Sequence, residues 1–350
     1  MKKQIFILLL LLFMGFTTFG QSASPSGAFS YSVPIEVPPG TNGMQPNLAL
    51  VYNSQAGNGM LGMGWSLSGL SVISRDSSYD LDFDDTSDHF ILDGQRLIKD
   101  ESGLYHTQVE NYSIIEFNNP GTSSSWTVKT KTGMKMYYGA TADSRIEAVG
   151  KNGQALMWRL NKVEDVLGNY MTLEYAEDEV NGDSYPIRIE YTMNDTHGLN
   201  KTRTVEFFYE EREDHFVQYV PTAMDVDYRL KWVVVKIGGN LLRKYGLDYE
   251  GSSQLNQSRL VSLREYGSEG NVPYSASEAW VVDSTFVPIG SYKPSIEFEH
   301  TKKVNGFNRN DFHWPDFIGY NATTGGDFNG DGFTDLLLQK ETNNGYRSVL

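Results

Sequence analysis

Asp327, Asn329, Asp331 and Asp335 place side-chain oxygens at relative positions 1, 3, 5 and 9 of a short loop, with Gly332 at position 6. Calcium takes about 6 to 8 oxygen ligands at about 2.3 to 2.6 Å, and alternate residues of a tight loop converge on one ion. Gly332 permits the sharp turn, and the carbonyl of Phe333 supplies the ligand at position 7. A helix–loop–helix calcium site would need a bidentate Glu at position 12, where this chain has Leu338, and Leu336-Leu337-Leu338 reads as a strand. The expectation is a structural Ca2+ ion held by Asp327, Asn329, Asp331, Phe333 and Asp335. Ligands that are all protein oxygens leave little room for a reacting group.

No other constellation has the spacing of a catalytic site. His89, His106, His197, His215, His300 and His313 form neither an HxxxH nor an HExxH pair, which removes the common zinc-hydrolase patterns. There is no cysteine nucleophile, no GxSxG and no P-loop. The run Asp80, Asp82, Asp84, Asp85 and Asp88 is expected to be a solvated loop rather than a second cation site, because no glycine marks an apex there. Glu210-Glu211 and Asp214-His215 are read as surface charges at a strand end. The chain is therefore expected not to be an enzyme.

Met1-Lys2-Lys3, an apolar run from Ile5 to Phe16, and Phe19-Gly20-Gln21 give the charged, apolar and small-residue regions of a secretory signal peptide, so a secreted, extracellular product is expected. The run is shorter than the about 20 apolar residues that a bilayer span needs, so no stable membrane span is expected. No cysteine follows it, which excludes a lipid anchor at that point. With 29 basic and 44 acidic residues the net charge is −15, and no Lys/Arg cluster offers a phosphate-binding surface; no nucleic-acid partner is expected. Without disulfides, an exported chain of this length must rely on its core, bound metal or assembly.

The elements that would carry these residues read as strands almost throughout, and the fold class is all-β. Phe29, Tyr31, Val33, Ile35 and Val37 alternate with Ser30, Ser32, Pro34 and Glu36, the period of a strand with one buried face. Pro34 cannot donate a ladder hydrogen bond and predicts an edge or a bulge. After the turn dipeptides around Pro39-Gly40 and Asn42-Gly43, Leu48, Leu50 and Tyr52 repeat the alternation. Gly57, Gly59, Gly62, Gly64 and Gly69 then surround Met60, Leu61, Met63 and Trp65, a segment suited to close backbone approach around large side chains. Hairpin turns are predicted at Asp93-Gly94, Thr132-Gly133, Gly168-Asn169 and Gly238-Gly239. Met171, Leu173 and Tyr175 are placed on one face, and further strands cover Arg259–Leu263 and Pro294–Phe298.

The runs SYSVPIEVPPGTNGMQPNLALVYNS and GxGxxGxGWSLSG, with Asp88-His89-Phe90-Ile91-Leu92-Asp93-Gly94-Gln95-Arg96-Leu97, resemble the N-terminal signature of the SpvB/TcaC family, the B-component proteins of insecticidal toxin complexes and their relatives in the RHS/YD-repeat superfamily. Leu160–Tyr175 resembles a YD-type repeat unit, with Val235–Tyr249 as a degenerate second copy. DxNxDGxxD followed by an apolar strand is similar to the FG-GAP/VCBS repeat of β-propellers of the integrin alpha N-terminal type. With the signal peptide at 1–20 and a linker at 301–320, where Lys302-Lys303, Asn305-Gly306, Asn308 and Pro315 interrupt strand alternation, the resemblance implies an SpvB-type β-sheet shell domain at 21–300 and an incomplete FG-GAP/VCBS blade at 321–350. It further implies a non-enzymatic scaffold whose partners are toxin-complex subunits or a toxic C-terminal cargo in a longer protein. The rival expectation is an extracellular calcium-binding surface or adhesion module. Twelve residues follow Leu338, whereas a propeller needs about 4 to 8 four-stranded blades, so the chain is expected to be the N-terminal portion of something longer. Some family members carry an ADP-ribosyltransferase at the far C-terminus, and that activity is not expected of these residues.

The calcium assignment predicts a local effect. Extracellular calcium modules bind with dissociation constants of about 0.1 to 1 mM, and at ten times that concentration mass action contributes only about 1.4 kcal/mol. Asp331→Ala is expected to abolish calcium-dependent hydrogen-exchange protection of residues 320–340 while leaving the earlier strands unchanged. Identical exchange in calcium and in chelator would make the loop a plain polar turn.

Overall fold

The computed structural model describes residues 20–23, 27–79, 81–85, 87–148, 150–178, 182–220, 222–251, 257–273, 280–282, 285–299, 321–326, 335–342 and 345–349. The proposed leader ahead of Gly20 lies outside the described residues. The described chain is all-β, interrupted only by short 3-10 turns at Thr41–Gly43, Ala142–Ser144 and Asp195–His197.

Four antiparallel strands, Gly20–Ala23, Phe29–Ile35, Leu48–Asn53 and Trp65–Ser68, form the first sheet. Its alternation is the one read from the sequence: Phe29, Tyr31, Val33 and Ile35 are buried, and Leu48, Leu50 and Tyr52 face the same core. Pro34 pairs with Ala49, while the Gly20–Ala23 strand registers only against Phe29–Ser32. Among the described residues Pro34 thus has a ladder partner on one side, the edge condition its missing N–H demands.

The remaining strands form one closed sheet system. Asp93-Gly94, with φ of 47° and 80°, closes a two-residue hairpin between Phe90–Leu92 and Gln95–Lys99. Long strands then meander antiparallel through Ala155–Glu164, Tyr170–Asp178, Asp183–Met193, Arg203–Val220, Thr222–Ile237, Asn240–Gly251 and Ser258–Tyr266. Leu173 and Tyr175 are buried and Met171 packs beside them, as the period of two requires. Both YD-like segments are hairpins, the second turning at Gly238-Gly239, where φ is 57° and 82°. Ile296–Glu299 continues the sheet and pairs in parallel with Gly345–Val349, which is itself paired with Asp335–Thr342.

One aromatic core joins the first sheet to this wall. Trp65 packs 4.6 Å from Phe298 between ring centroids, and Tyr31 lies 6.3 Å from Phe298. Polar ties fix the angle between them: Glu36 N donates to the Tyr245 hydroxyl at 3.0 Å, and Tyr191 Oη donates to Pro38 O at 2.9 Å. Around Phe90, Trp126 and Trp158 a second aromatic group fills the wall's other end, with centroid separations of 4.8 to 5.8 Å.

The glycine-rich crossover between Asn53 and Trp65 presses backbone against backbone. Met63 N donates to Ser258 O at 2.9 Å, and Leu230 N donates to Met60 O at 2.8 Å. Gly62 has φ of 79°, and a Cβ there would fall 2.5 Å from Ser258 O. Gly62→Ala therefore combines left-handed strain with a backbone clash and is expected to cost about 1 to 3 kcal/mol in chemical denaturation. Gly43→Ala, with φ of 78° but open space, is expected to cost less; equal losses at the two positions would show that close approach plays no part.

Candidate functional site

Where the crossover meets the wall, the structure buries charge. Arg212, on the Arg203–Val220 strand, has a fully buried guanidinium. Its Nη1 donates to Gly59 O at 3.1 Å, its Nη2 to Asn58 Oδ1 and Asp214 Oδ2 at 2.9 Å each, and its Nε to Asp214 Oδ1 at 3.0 Å. Phe216 closes the face of the group at 4.7 Å. Arg212, Asp214 and Phe216 share one side of the strand because side chains alternate with a period of two. Asp214 also accepts from Ser258 N at 2.6 Å, from the Ser258 hydroxyl, and from Asn58 Nδ2 at 3.3 Å. Burial alone would raise its carboxyl; the hydrogen bonds from Arg212 and Ser258 outweigh that and hold it well below the usual carboxylate range. Asp214 is thus no surface charge, contrary to the reading of its acidic neighbourhood, whereas Glu211 is exposed.

A second node corrects the reading of the Asp80–Asp88 run. The Arg75 guanidinium is fully buried and paired with Asp85 and Asp88, both nearly buried. Its Nε donates to Ala155 O at 2.8 Å, and its faces meet Phe83, Phe90 and Trp158 at 5.3 to 5.5 Å. Asp85 also accepts from Gly121 N at 2.7 Å. These carboxylates fold inward because a buried cation needs them; only part of the run is a solvated loop.

Asp183 is a third buried charge, at the start of Asp183–Met193. Its Oδ1 accepts from Ser184 N at 2.8 Å, and its Oδ2 is without a partner. Burial pushes its carboxyl up to about 6, against the lowering effect of the nearby Tyr185 hydroxyl and of the Ser184 N–H.

What these nodes do chemically is hold chain together. A guanidinium stays protonated, and the lone pairs of Asp214 are occupied. His106 meets Asp100 at 2.9 Å and His215 meets Asp227 at 2.8 Å, both in solvent-accessible pairs. Among the described residues no group of three or more His, Asp and Glu gathers where a metal could be held. Asp327, Asn329, Asp331 and Phe333 lie outside the described residues, and Asp335 begins the Asp335–Thr342 strand. Sequence reasoning missed Arg75, Arg212 and Asp183 because each sits in a polar stretch. The available signal was the alternation of Arg212, Asp214 and Phe216 opposite a glycine-rich segment.

The sequence profile of the Salmonella virulence plasmid 65kDa B protein family, SpvB, matches residues 23–113 and 103–234. The mono(ADP-ribosyl)transferases SpvB of Salmonella typhimurium and Salmonella dublin are 22% identical over 213 residues, covering 53% of this chain and 35% of theirs. The chain thus spans about a third of the length of these relatives. The N-terminal domain of the effector SpvB from Salmonella typhimurium strain LT2 superposes with a TM-score of 0.58 at 18% identity, over 68% of this chain and 99% of that domain. TcdB2-TccC3 superposes with a TM-score of 0.65 at 18% identity, over 95% of this chain and 19% of that one. The Photorhabdus luminescens Tc holotoxin pore gives 0.64 at 17% identity, over 95% and 18%.

The two acids should titrate in opposite senses. Asp214 is depressed, so its contribution is present above the ordinary carboxylate value of about 3.9 and is lost as pH falls toward its folded value. Asp214→Asn should flatten the acid-unfolding transition. Asp183 is raised, so its contribution is present below about pH 4 and is lost as pH rises through about 6. Asp183→Asn is expected to stabilise at pH 8 by at most about 3 kcal/mol, the gain fading toward pH 4. Urea denaturation at both pH values measures this, and a variant less stable than wild type at pH 8 would refute it.

Proposed function

The chain belongs to the SpvB family, and from that membership we propose that it is a non-enzymatic β scaffold serving encapsulation or delivery of a toxic cargo. The observation that carries this reading is the extent of the fold likeness: 95% of the chain follows the fold of TcdB2-TccC3. The mono(ADP-ribosyl)transferase relatives are matched over only 35% of their length, and the structural match to SpvB is to its N-terminal domain. The transferase label therefore is not carried over to these residues.

The buried nodes support the same reading. A wall that confines another polypeptide must close its sheet and resist local opening, and Arg75 and Arg212 each bind segments distant in sequence. Its partners are then toxin-complex subunits or a cargo polypeptide, its route is export through the leader, and calcium at the Asp327–Asp335 loop orders the C-terminal segment.

Co-expression with a toxin-complex cargo polypeptide tests the proposal. Cargo that co-purifies and resists added protease until the wall is denatured is the expected result. Cargo that stays fully protease-sensitive, or transfer of ADP-ribose from labelled NAD by the purified chain, would contradict it.

A further inference from the structure

The wall carries a small second core on the face opposite the main one. Trp232 lies across from Gly246, and a Cβ on Gly246 would fall 2.6 Å from the indole, so the glycine makes room for a flat-lying ring. Val234 and Tyr266 extend this floor, and Val272, Val282 and Phe286 return over it. Lys244 pins the returning segment. The buried lysine donates from Nζ to Asn271 O at 2.7 Å and Oδ1 at 3.1 Å, and Asn271 in turn binds Val287 O and Ile289 N, each at 2.8 Å.

The pinned segment does not lie flush. A groove of about 670 Å³ remains between it and the strands, within the range of small-ligand sites, about 300 to 1,000 Å³. Trp232, Tyr266 and Phe286 line its apolar side. Its polar rim is a chain of ion pairs: Lys231 Nζ lies 3.4 Å from Glu210 and 3.5 Å from Asp248, and Arg264 Nη2 lies 2.5 Å from Asp248. Glu210 is also held by Arg229 at 2.8 Å.

That pairing selects the ligand class. An anion would have to displace Asp248 from Arg264 and would meet Glu211 at the mouth of the groove, and a cation would have to displace Lys231 from Glu210, since the remaining lining carboxylate, Glu211, is largely exposed and screened by water. A neutral polyol displaces nothing. Its hydroxyls accept from the remaining N–H groups of Lys231 and Arg264 and donate to the remaining lone pairs of Glu210 and Asp248, while its C–H faces rest on the half-buried Phe286 and Pro288, because Trp232 and Tyr266 are covered. We propose that this groove is a binding site for an uncharged oligosaccharide. Its test is independent of the cargo reading, because it reads sugar binding and not protection of a cargo.

The full chain should be screened against neutral oligosaccharides of glucose, galactose and N-acetylhexosamines, and hits measured by calorimetry. Saturable binding is expected, little changed by added salt, since no net charge is neutralised. Phe286→Ala and Arg264→Gln should each weaken it about tenfold or more, and Lys201→Ala, in the separate groove near Gly238, should leave it unchanged. Arg264→Gln alters only the rim, so it remains informative if Phe286→Ala folds poorly. No saturable binding to any neutral sugar, preference for sulfated or sialylated glycans or for peptides, or binding indifferent to Arg264→Gln would overturn the assignment.

Discussion

A guanidinium with no access to water must be answered on every side, and the fold around Arg212 is built to that requirement. Taking such an ion from water costs several kcal/mol, and leaving it without one partner costs about 3 to 5 kcal/mol. Its partners come from the crossover, at Asn58 and Gly59, and from its own strand at Asp214; Asp214 in turn grips Ser258. Neither the first sheet nor the meander can shift against the other without breaking this set. The glycines beside it follow from the same constraint, because Gly62 must bring its backbone against Ser258 for the bonds to form.

In a chain with no cysteine, such nodes hold distant segments together where many proteins use disulfides. Arg75 does for the Ala155–Glu164 region what Arg212 does for the crossover: it binds the Asp85 and Asp88 loop to the wall beneath a layer of aromatic rings. Ionic ties buried in this way are poor at adding net stability and good at specifying one arrangement. The proposed scaffold role has use for the latter, since it calls for a fixed surface.

Much of the fold was legible because its strands bury one face: Phe29 to Ile35, Leu48 to Tyr52 and Met171 to Tyr175 alternate as the physics of a half-buried strand dictates. The hairpin turns were legible because Asp93-Gly94 and Gly238-Gly239 adopt the positive φ that such turns demand. The buried charges were not, because a one-dimensional reading cannot tell a solvated acidic run from one that faces a buried arginine. Asp85 and Asp88 look like Asp82 and Asp84 in sequence, and only the pairing of distant strands separates them. The calcium reading of the Asp327–Asp335 loop rests on spacing alone, and four of its five proposed ligands lie outside the described residues.

Arg212 clamps the crossover to the wall through Asn58 and Gly59. Residue-resolved hydrogen exchange on Arg212→Met tests it most directly. The amides of Gly62, Met63 and Gly64 are expected to lose protection together with those of Leu230 and Ser258, while the Phe90–Leu92 and Gln95–Lys99 hairpin keeps its own. Protection at the crossover equal to that of the wild type would contradict it.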